Sequence, residues 1–380
     1  MPVISCPLCQ QSASSVFFQS SLGVCVRSDW TALSESVTVY QCSVCSHLHK
    51  DAANVKRMSD YINYHVMDDS PEQDKLQFAK DRPSGRSSTI LEHLRQKRII
   101  DSRSRILDYG CNRGAFLKLL EGSGHAGFDV SEHYRPIIEG LGKEYYTLDS
   151  PPPENSYDAI VLIHVAEHLE SMARDLSFGV RALKKSGAIL IQVPDIVLQP
   201  TDLYVADHHS HFLPENLIRS MASIGLECQA TVESIIPGEQ TAIFKPSVDG
   251  RVKSWRDVEQ EANAARNKRA GEHIRDYLFK AEARMADLSA AGRQHFIYGA
   301  GLIGTLVAGK LQKQVAGFID DNPGSKGRSL HGIPIFLSSE IPKNCESIVV
   351  AVPPTAALQV ANRCRSLGYE PLIPFDSSLP

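Results

Sequence analysis

The stretch RILDYGCNRGAFLKLL, Arg105–Leu120, decides the fold of this chain. A short apolar run carries Asp108 near its end, a turn with Gly110 and Gly114 follows, and an apolar pattern of helical period begins at once. Strand, glycine turn and helix start in that order put small residues at the carboxyl edge of a parallel sheet, where backbone comes close to a ligand. Asn112 stands where a further glycine is common. Asn tolerates positive φ best after Gly, so the turn survives the exchange. One strand on, AGFDVS ends in Asp129, a carboxylate placed to hold a ribose diol through two charge-assisted hydrogen bonds. The two strand ends together specify a nucleoside-like ligand.

Outward from this stretch, HYRPIIEGLG, YDAIVLI and GAILIQVPD continue the alternation of helical and extended patterns. Strands alternating with helices mean a parallel sheet covered on both faces, an α/β fold. The pair CQATVESI and QTAIFKP closes the unit near residue 246. Residues 51–95 are polar and mixed and read as a helical connector. Residues 250–290 carry apolar positions three or four apart, which predicts a long amphipathic helix, or two broken at Gly271, serving as a linker. A second α/β unit, 291–380, opens with FIYGAGLIG, a G-x-G-x-x-G on Gly299, Gly301 and Gly304 with Asp320 further on. Alone this is a dinucleotide fingerprint, and it makes an NAD-dependent oxidoreductase a rival reading. The unit is too small to hold a full dinucleotide fold and a substrate domain.

The chain has 380 residues, 40 Lys and Arg against 44 Asp and Glu, and no basic block, so a nucleic-acid partner is not expected. No signal-peptide layout opens the sequence and no apolar run reaches the roughly 18 residues of a membrane span. A cytoplasmic enzyme with a small-molecule substrate is expected. Nine cysteines in that compartment are free thiols or metal ligands. Cys6-x-x-Cys9 and Cys42-x-x-Cys45 have the spacing of two knuckles that complete a tetrahedral, structural zinc site, in a domain of residues 1–50. SVFFQS, VCVRS and VTVYQC read as strands that bring the pairs together, with Cys25 as a spare thiol.

With Asp108, the glycine turn, Asp129 and the fourth strand and loop YDAIVLIHVAEHLE, the segment 96–246 resembles the class I S-adenosylmethionine-dependent methyltransferases. The resemblance implies a Rossmann-like core in which Asp108, Gly110, Asn112 and Gly114 line the methionine and ribose, and Asp129 binds the ribose. His164 and Glu167 then lie beside the methyl group, and Tyr145 to Asp149 flank the adenine.

After the fifth strand comes YVADHHSHF, Tyr204–Phe212, where the question is metal or proton. His208 and His211 have metal-ligand spacing only if the segment is helical, whereas Asp207 beside His208 suits a carboxylate that orients and charges an imidazole. The order of four-cysteine domain, methyltransferase and C-terminal Rossmann-like domain resembles the C-methyltransferases of nucleotide-linked keto-deoxysugars. That family carries a Tyr-x-Glu-His motif; here Asp207 takes the Glu place, His208 the His place, and Tyr204 lies one residue from the Tyr place. Its connector also carries tyrosines, for which Tyr61 and Tyr64 are the candidates. The resemblance implies proton removal by His208, a developing enolate held by Tyr204, Tyr61 or Tyr64, and attack of that enolate on the sulfonium methyl of S-adenosylmethionine, with a sugar nucleotide as partner molecule. O-methylation of a carbohydrate, or a zinc-containing adaptor without catalysis, are the alternatives.

Overall fold

The computed structural model describes residues 4–51, 76–79, 82–229, 232–247, 261–343 and 345–376. They fall into two compact units, the first of Met1–Ser14, Cys42–Asp195 and His209–Ala265, the second of Ser15–Gln41, Ile196–His208 and Arg266–Pro380.

The first unit is built on the strands β1 (Ile106–Tyr109), β2 (Ala126–Phe128), β3 (Glu144–Tyr146), β4 (Tyr157–Ile163), β5 (Leu183–Pro194), β6 (Leu226–Cys228) and β7 (Glu239–Pro246). Their order is β3-β2-β1-β4-β5-β7-β6, with Glu233–Ile236 also paired to β7. β7 runs antiparallel to β5 and β6, and the pairs among β1 to β5 are parallel. Successive side chains leave a strand on opposite faces, so every apolar strand here supplies two cores. Leu107, Ile160, Leu162, Ile189 and Ile191 enter one, and Ile106, Ala159, Val161, Ala188 and Leu190 the other. The chain direction across the sheet reverses between β1 and β4, which makes the carboxyl ends of those two strands the crevice of the fold.

Two expectations change. AFLKLLEGSG was read as a helix, but only the 3₁₀ turn Leu117–Leu119 forms, because the chain becomes extended at Leu120 and takes positive φ at Gly122 and Gly124. The described end of the connector opens with the hairpin Leu76–Ala79 and Arg82–Gly85 before helix α1 (Arg86–Gln96) begins; Tyr61 and Tyr64 lie outside the described residues.

The cysteine knuckles belong to this unit as well. Gln10 N donates to Cys6 O and Ser46 N to Cys42 O, both at 2.9 Å, and each turn closes through a left-handed residue, Gln10 or Ser46. Leu48–His49 pairs antiparallel with Ser210–His211, and Asn216 Nδ2 donates to Cys45 O at 3.0 Å.

In the second unit β8 (His295–Tyr298), β9 (Val315–Asp320), β10 (Ser329–Leu330), β11 (Ile333–Leu337) and β12 (Ile348–Val350) form a sheet of order β10-β11-β9-β8-β12. The helix Glu261–Ala290 passes through Gly271 unbroken. A Cβ at Gly271 would stand 3.3 Å from the Phe17 ring, so the glycine serves close packing there. Among the described residues no helix is long and apolar enough to cross a membrane.

Candidate active site

The turn after β1 has positive φ at Gly110 (83°), Asn112 (47°) and Gly114 (75°), the backbone that the sequence pattern asked for. A Cβ on Gly110 would lie 2.4 Å from Val165 Cγ2, and one on Gly114 2.6 Å from Ile138 Cδ1. Glycine at position 110 therefore lets the turn after β1 approach the segment after β4. Asp129 clasps the turn from the next strand: Oδ2 accepts from Asn112 N at 3.0 Å and Oδ1 from Ser131 N at 3.1 Å. Each carboxylate oxygen has a second lone pair, so the clasp leaves acceptors for a diol.

Asp108 lies buried on β1. Burial, and then the neighbouring Asp129 charge, push its carboxyl up to about 8. Burial also pushes Asp129 up, to about 6, against the backbone N–H groups of Asn112 and Ser131. A cation beside them would let both acids ionise. Tyr145 turns its hydroxyl to the Ser131 carbonyl.

Across the crevice, His164 ends β4 with φ of +54°, an uncommon conformation for a residue with a side chain. Its Nδ1 lies 2.9 Å from Oε1 of buried Glu167, and its Nε2 lies 3.2 Å from Glu239 Oε2. Arg86 meets the same Glu239 with two bonds, Nη2 to Oε1 at 2.6 Å and Nε to Oε2 at 3.2 Å. His164 and Glu167 were singled out from sequence; Glu239 and Arg86 were missed. The one signal for Glu239 is an acid opening the strand EQTAIFKP.

The stretch YVADHHSHF divides between the units after His208. In the second unit Asp207 binds Ser28. Its Oδ1 accepts from Ser28 N at 2.9 Å and its Oδ2 from Ser28 Oγ at 2.6 Å. The partner of His208 is Asp202, 2.8 Å from Nδ1, because the 3₁₀ turn Pro200–Tyr204 and the bond from His208 N to Val205 O fold the loop back on itself. Tyr204 is buried and donates its hydroxyl to Glu282 Oε1 at 3.1 Å, and burial and that carboxylate hold it well above the usual phenol range. In the first unit His211 Nε2 lies 2.8 Å from Lys50 Nζ, and His209 is pushed down to about 4, chiefly by burial.

Cys6, Cys9, Cys42 and Cys45 are all buried, with one sulfur from each within 4.8 Å of the others. Cys6 and Cys45 sulfurs are 3.6 Å apart, and Cys9 and Cys42 sulfurs 3.5 Å. Crowding splits the thiols: the hydrogen bond with Cys45 holds Cys42 well below the usual thiol range and Cys45 is pushed up.

Residues 78–231 match the family model of a methyltransferase domain. No curated protein matches the chain. Among solved structures, a Mesorhizobium loti S-adenosylmethionine-dependent methyltransferase is 16% identical over 41% of this chain and 97% of its own, with a TM-score of 0.35. An Archaeoglobus fulgidus methyltransferase of the same donor class is 21% identical over 42% and 95%, at 0.33. The CurJ carbon methyltransferase is 15% identical over 42% and 54%, at 0.34. The chain carries a methyltransferase domain.

Proposed function

We propose that the enzyme methylates carbon in a nucleotide-linked keto-deoxysugar, through an enolate, with the donor held by Asp108, Gly110, Asn112, Gly114 and Asp129. The observation that carries the donor half is the Asp129 clasp on a three-residue left-handed turn, which leaves acceptors aimed at a diol beside a buried acid. The acceptor half is supported by the order of parts along the chain and by histidines held on carboxylates, which suit removal of a proton next to a carbonyl. His208 on Asp202 is one such pair. S-adenosylmethionine supplies an electrophilic methyl group; the protein must supply a base and alignment.

The four thiols hold a structural zinc ion in this reading. Zn–S bonds of about 2.3 Å at tetrahedral angles set sulfurs about 3.8 Å apart, close to the spacing found, and four thiolates leave no open position. Chelation or Cys6→Ser should release one zinc per chain while S-adenosylhomocysteine still binds; metal analysis that finds none sinks the assignment. For the acceptor, the enzyme and donor are incubated with nucleoside-diphosphate keto-deoxysugars in heavy water. Deuterium exchange beside the carbonyl, with a methyl group on carbon, is expected. Methylation on oxygen without exchange turns the reading to an O-methyltransferase.

A further inference from the structure

A histidine held between two carboxylates stands in the same compact unit as the donor turn, at the crevice where the sheet order reverses. Val165, the next residue after His164, is the side chain against which Gly110 packs, so His164 is tied to the donor turn by direct contact of its neighbour. The ring is fixed at Nδ1, 2.9 Å from Glu167 Oε1, in hydrogen-bond geometry. With a proton on Nδ1 the ring keeps its lone pair on Nε2. Nε2 lies 3.2 Å from Glu239 Oε2 as an ion-pair neighbour. The His164 side chain is 22% exposed while those of Glu167 and Glu239 are 1% and 2% exposed, and within the ring Nε2 is itself buried and makes no hydrogen bond. The backbone N–H of His164 donates to Gln192 O on β5 at 3.0 Å, and the left-handed φ turns the side chain off the line of the strand. Such a conformation persists only where its surroundings impose it, and such residues cluster at functional sites.

We infer that His164 is the general base of the methyl transfer, taking the acceptor's proton on Nε2, with Glu167 and Glu239 as positioning residues; the inference rests on the methyltransferase reading with an acceptor that must lose a proton. The groups facing the ring are Glu167 from the turn after β4 and Glu239 from β7, the latter bound by Arg86 of α1. Glu167 holds the tautomer, as the acid of a Ser-His-Asp triad does. Glu239 faces the imidazolium that forms, and Arg86 keeps that second carboxylate from standing uncompensated in a buried place. In the step, the C–H bond of the acceptor breaks and its proton goes to Nε2. The electron pair left on the acceptor forms the new bond to the methyl carbon, and the pair of the S–CH₃ bond stays on sulfur. Imidazolium then returns its proton to water. His208 on Asp202, in the second unit, is the competing base.

The test uses the full chain and two readouts. By ¹⁵N NMR of histidine-labelled protein, with His164 assigned through His164→Gln, the ring is expected as the Nδ1–H tautomer at alkaline pH. In methyl transfer to a nucleoside-diphosphate keto-deoxysugar, His164→Gln should lower turnover by about 10²–10⁴. Glu239→Gln should lower it about tenfold, with Glu239→Asp restoring it. S-adenosylhomocysteine binding by calorimetry reports that each variant is folded. An Nε2–H tautomer, or turnover of His164→Gln within threefold of wild type while His208→Gln is crippled, overturns the inference. Wild-type enzyme that binds S-adenosylhomocysteine but methylates none of the keto sugars removes the acceptor reading instead, and the ring tautomer then decides His164 by itself.

Discussion

The chain contains two glycine turns after a strand, and the same clasp closes both. Asp129 Oδ2 accepts from Asn112 N and Oδ1 from Ser131 N; Asp320 Oδ2 accepts from Ala300 N at 2.9 Å and Oδ1 from Asn322 N at 2.8 Å. The preceding residues differ in one place: Asp108-Tyr109-Gly110 in the first unit, Ile297-Tyr298-Gly299 in the second. The first turn has a buried acid beneath it and three left-handed residues; the second has an apolar floor and positive φ at Gly299 alone among 299–304. Glycines of the second turn are taken up by packing. A Cβ on Gly304 would stand 1.9 Å from Gly299 O, and one on Gly299 2.5 Å from Ala351 O. The comparison teaches that a glycine motif reports close approach of backbone to a neighbour, the side chains of Val165 and Ile138 in the first turn and backbone oxygens in the second, and that the buried acid beneath the first turn is what sets it apart.

Gly304→Ala should break the second turn outright, because backbone oxygen cannot yield as a flexible side chain does. A loss of about 3 kcal/mol or more is expected, at the upper end of overpacking, read by denaturant titration; a loss below about 1 kcal/mol means the turn is looser than described. Next in size, Asp129→Ala should weaken S-adenosylhomocysteine by roughly 1.5–3 kcal/mol, the scale of hydrogen bonds to a charged group, while Asp320→Ala leaves its affinity alone. Equal effects of the two changes would erase the distinction drawn between the clasps. Asp108→Asn probes the acid floor. Burial raises Asp108 from its ordinary 3.8 to about 8, so its contribution to stability is complete below pH 3.8 and is lost as pH rises through 8. The variant should match wild type at pH 4 and melt higher than wild type at pH 8, read by thermal unfolding at both pH values; a constant difference across that range counts against the raised acid. Smallest is Gly301→Val. A Cβ there meets nothing within 4 Å, so stability and donor affinity should hold within about 0.5 kcal/mol, and only a ligand seated on that turn makes the change felt in acceptor affinity.

Much of the fold was legible. The β1 strand, its left-handed turn, the acid on the next strand and the paired cysteines are written in short windows, where period, glycine position and spacing act locally. Asn112 shows this well: its φ of 47° followed from residue type at one position. The helix expected after Phe116 failed for a related reason, since Gly122 and Gly124 end the segment before a helix can close, and the apolar period alone did not weigh them. Gly271 left one helix or two open, and the structure takes the single long helix, because the glycine's packing on Phe17 is invisible within its own window.

What the sequence determined is therefore the set of parts: an α/β unit with a glycine turn, two thiol knuckles, a long helix and a second glycine turn. Tertiary structure decided the pairings that give those parts their chemistry. Asp202, not Asp207, holds His208; Ser28 takes Asp207; Glu282 takes the Tyr204 hydroxyl; Glu239 and Arg86 come to His164 from strands and helices far along the chain. A hydrogen bond depends on the position of two atoms, and when those atoms are separated by tens or hundreds of residues only the folded chain sets their distance.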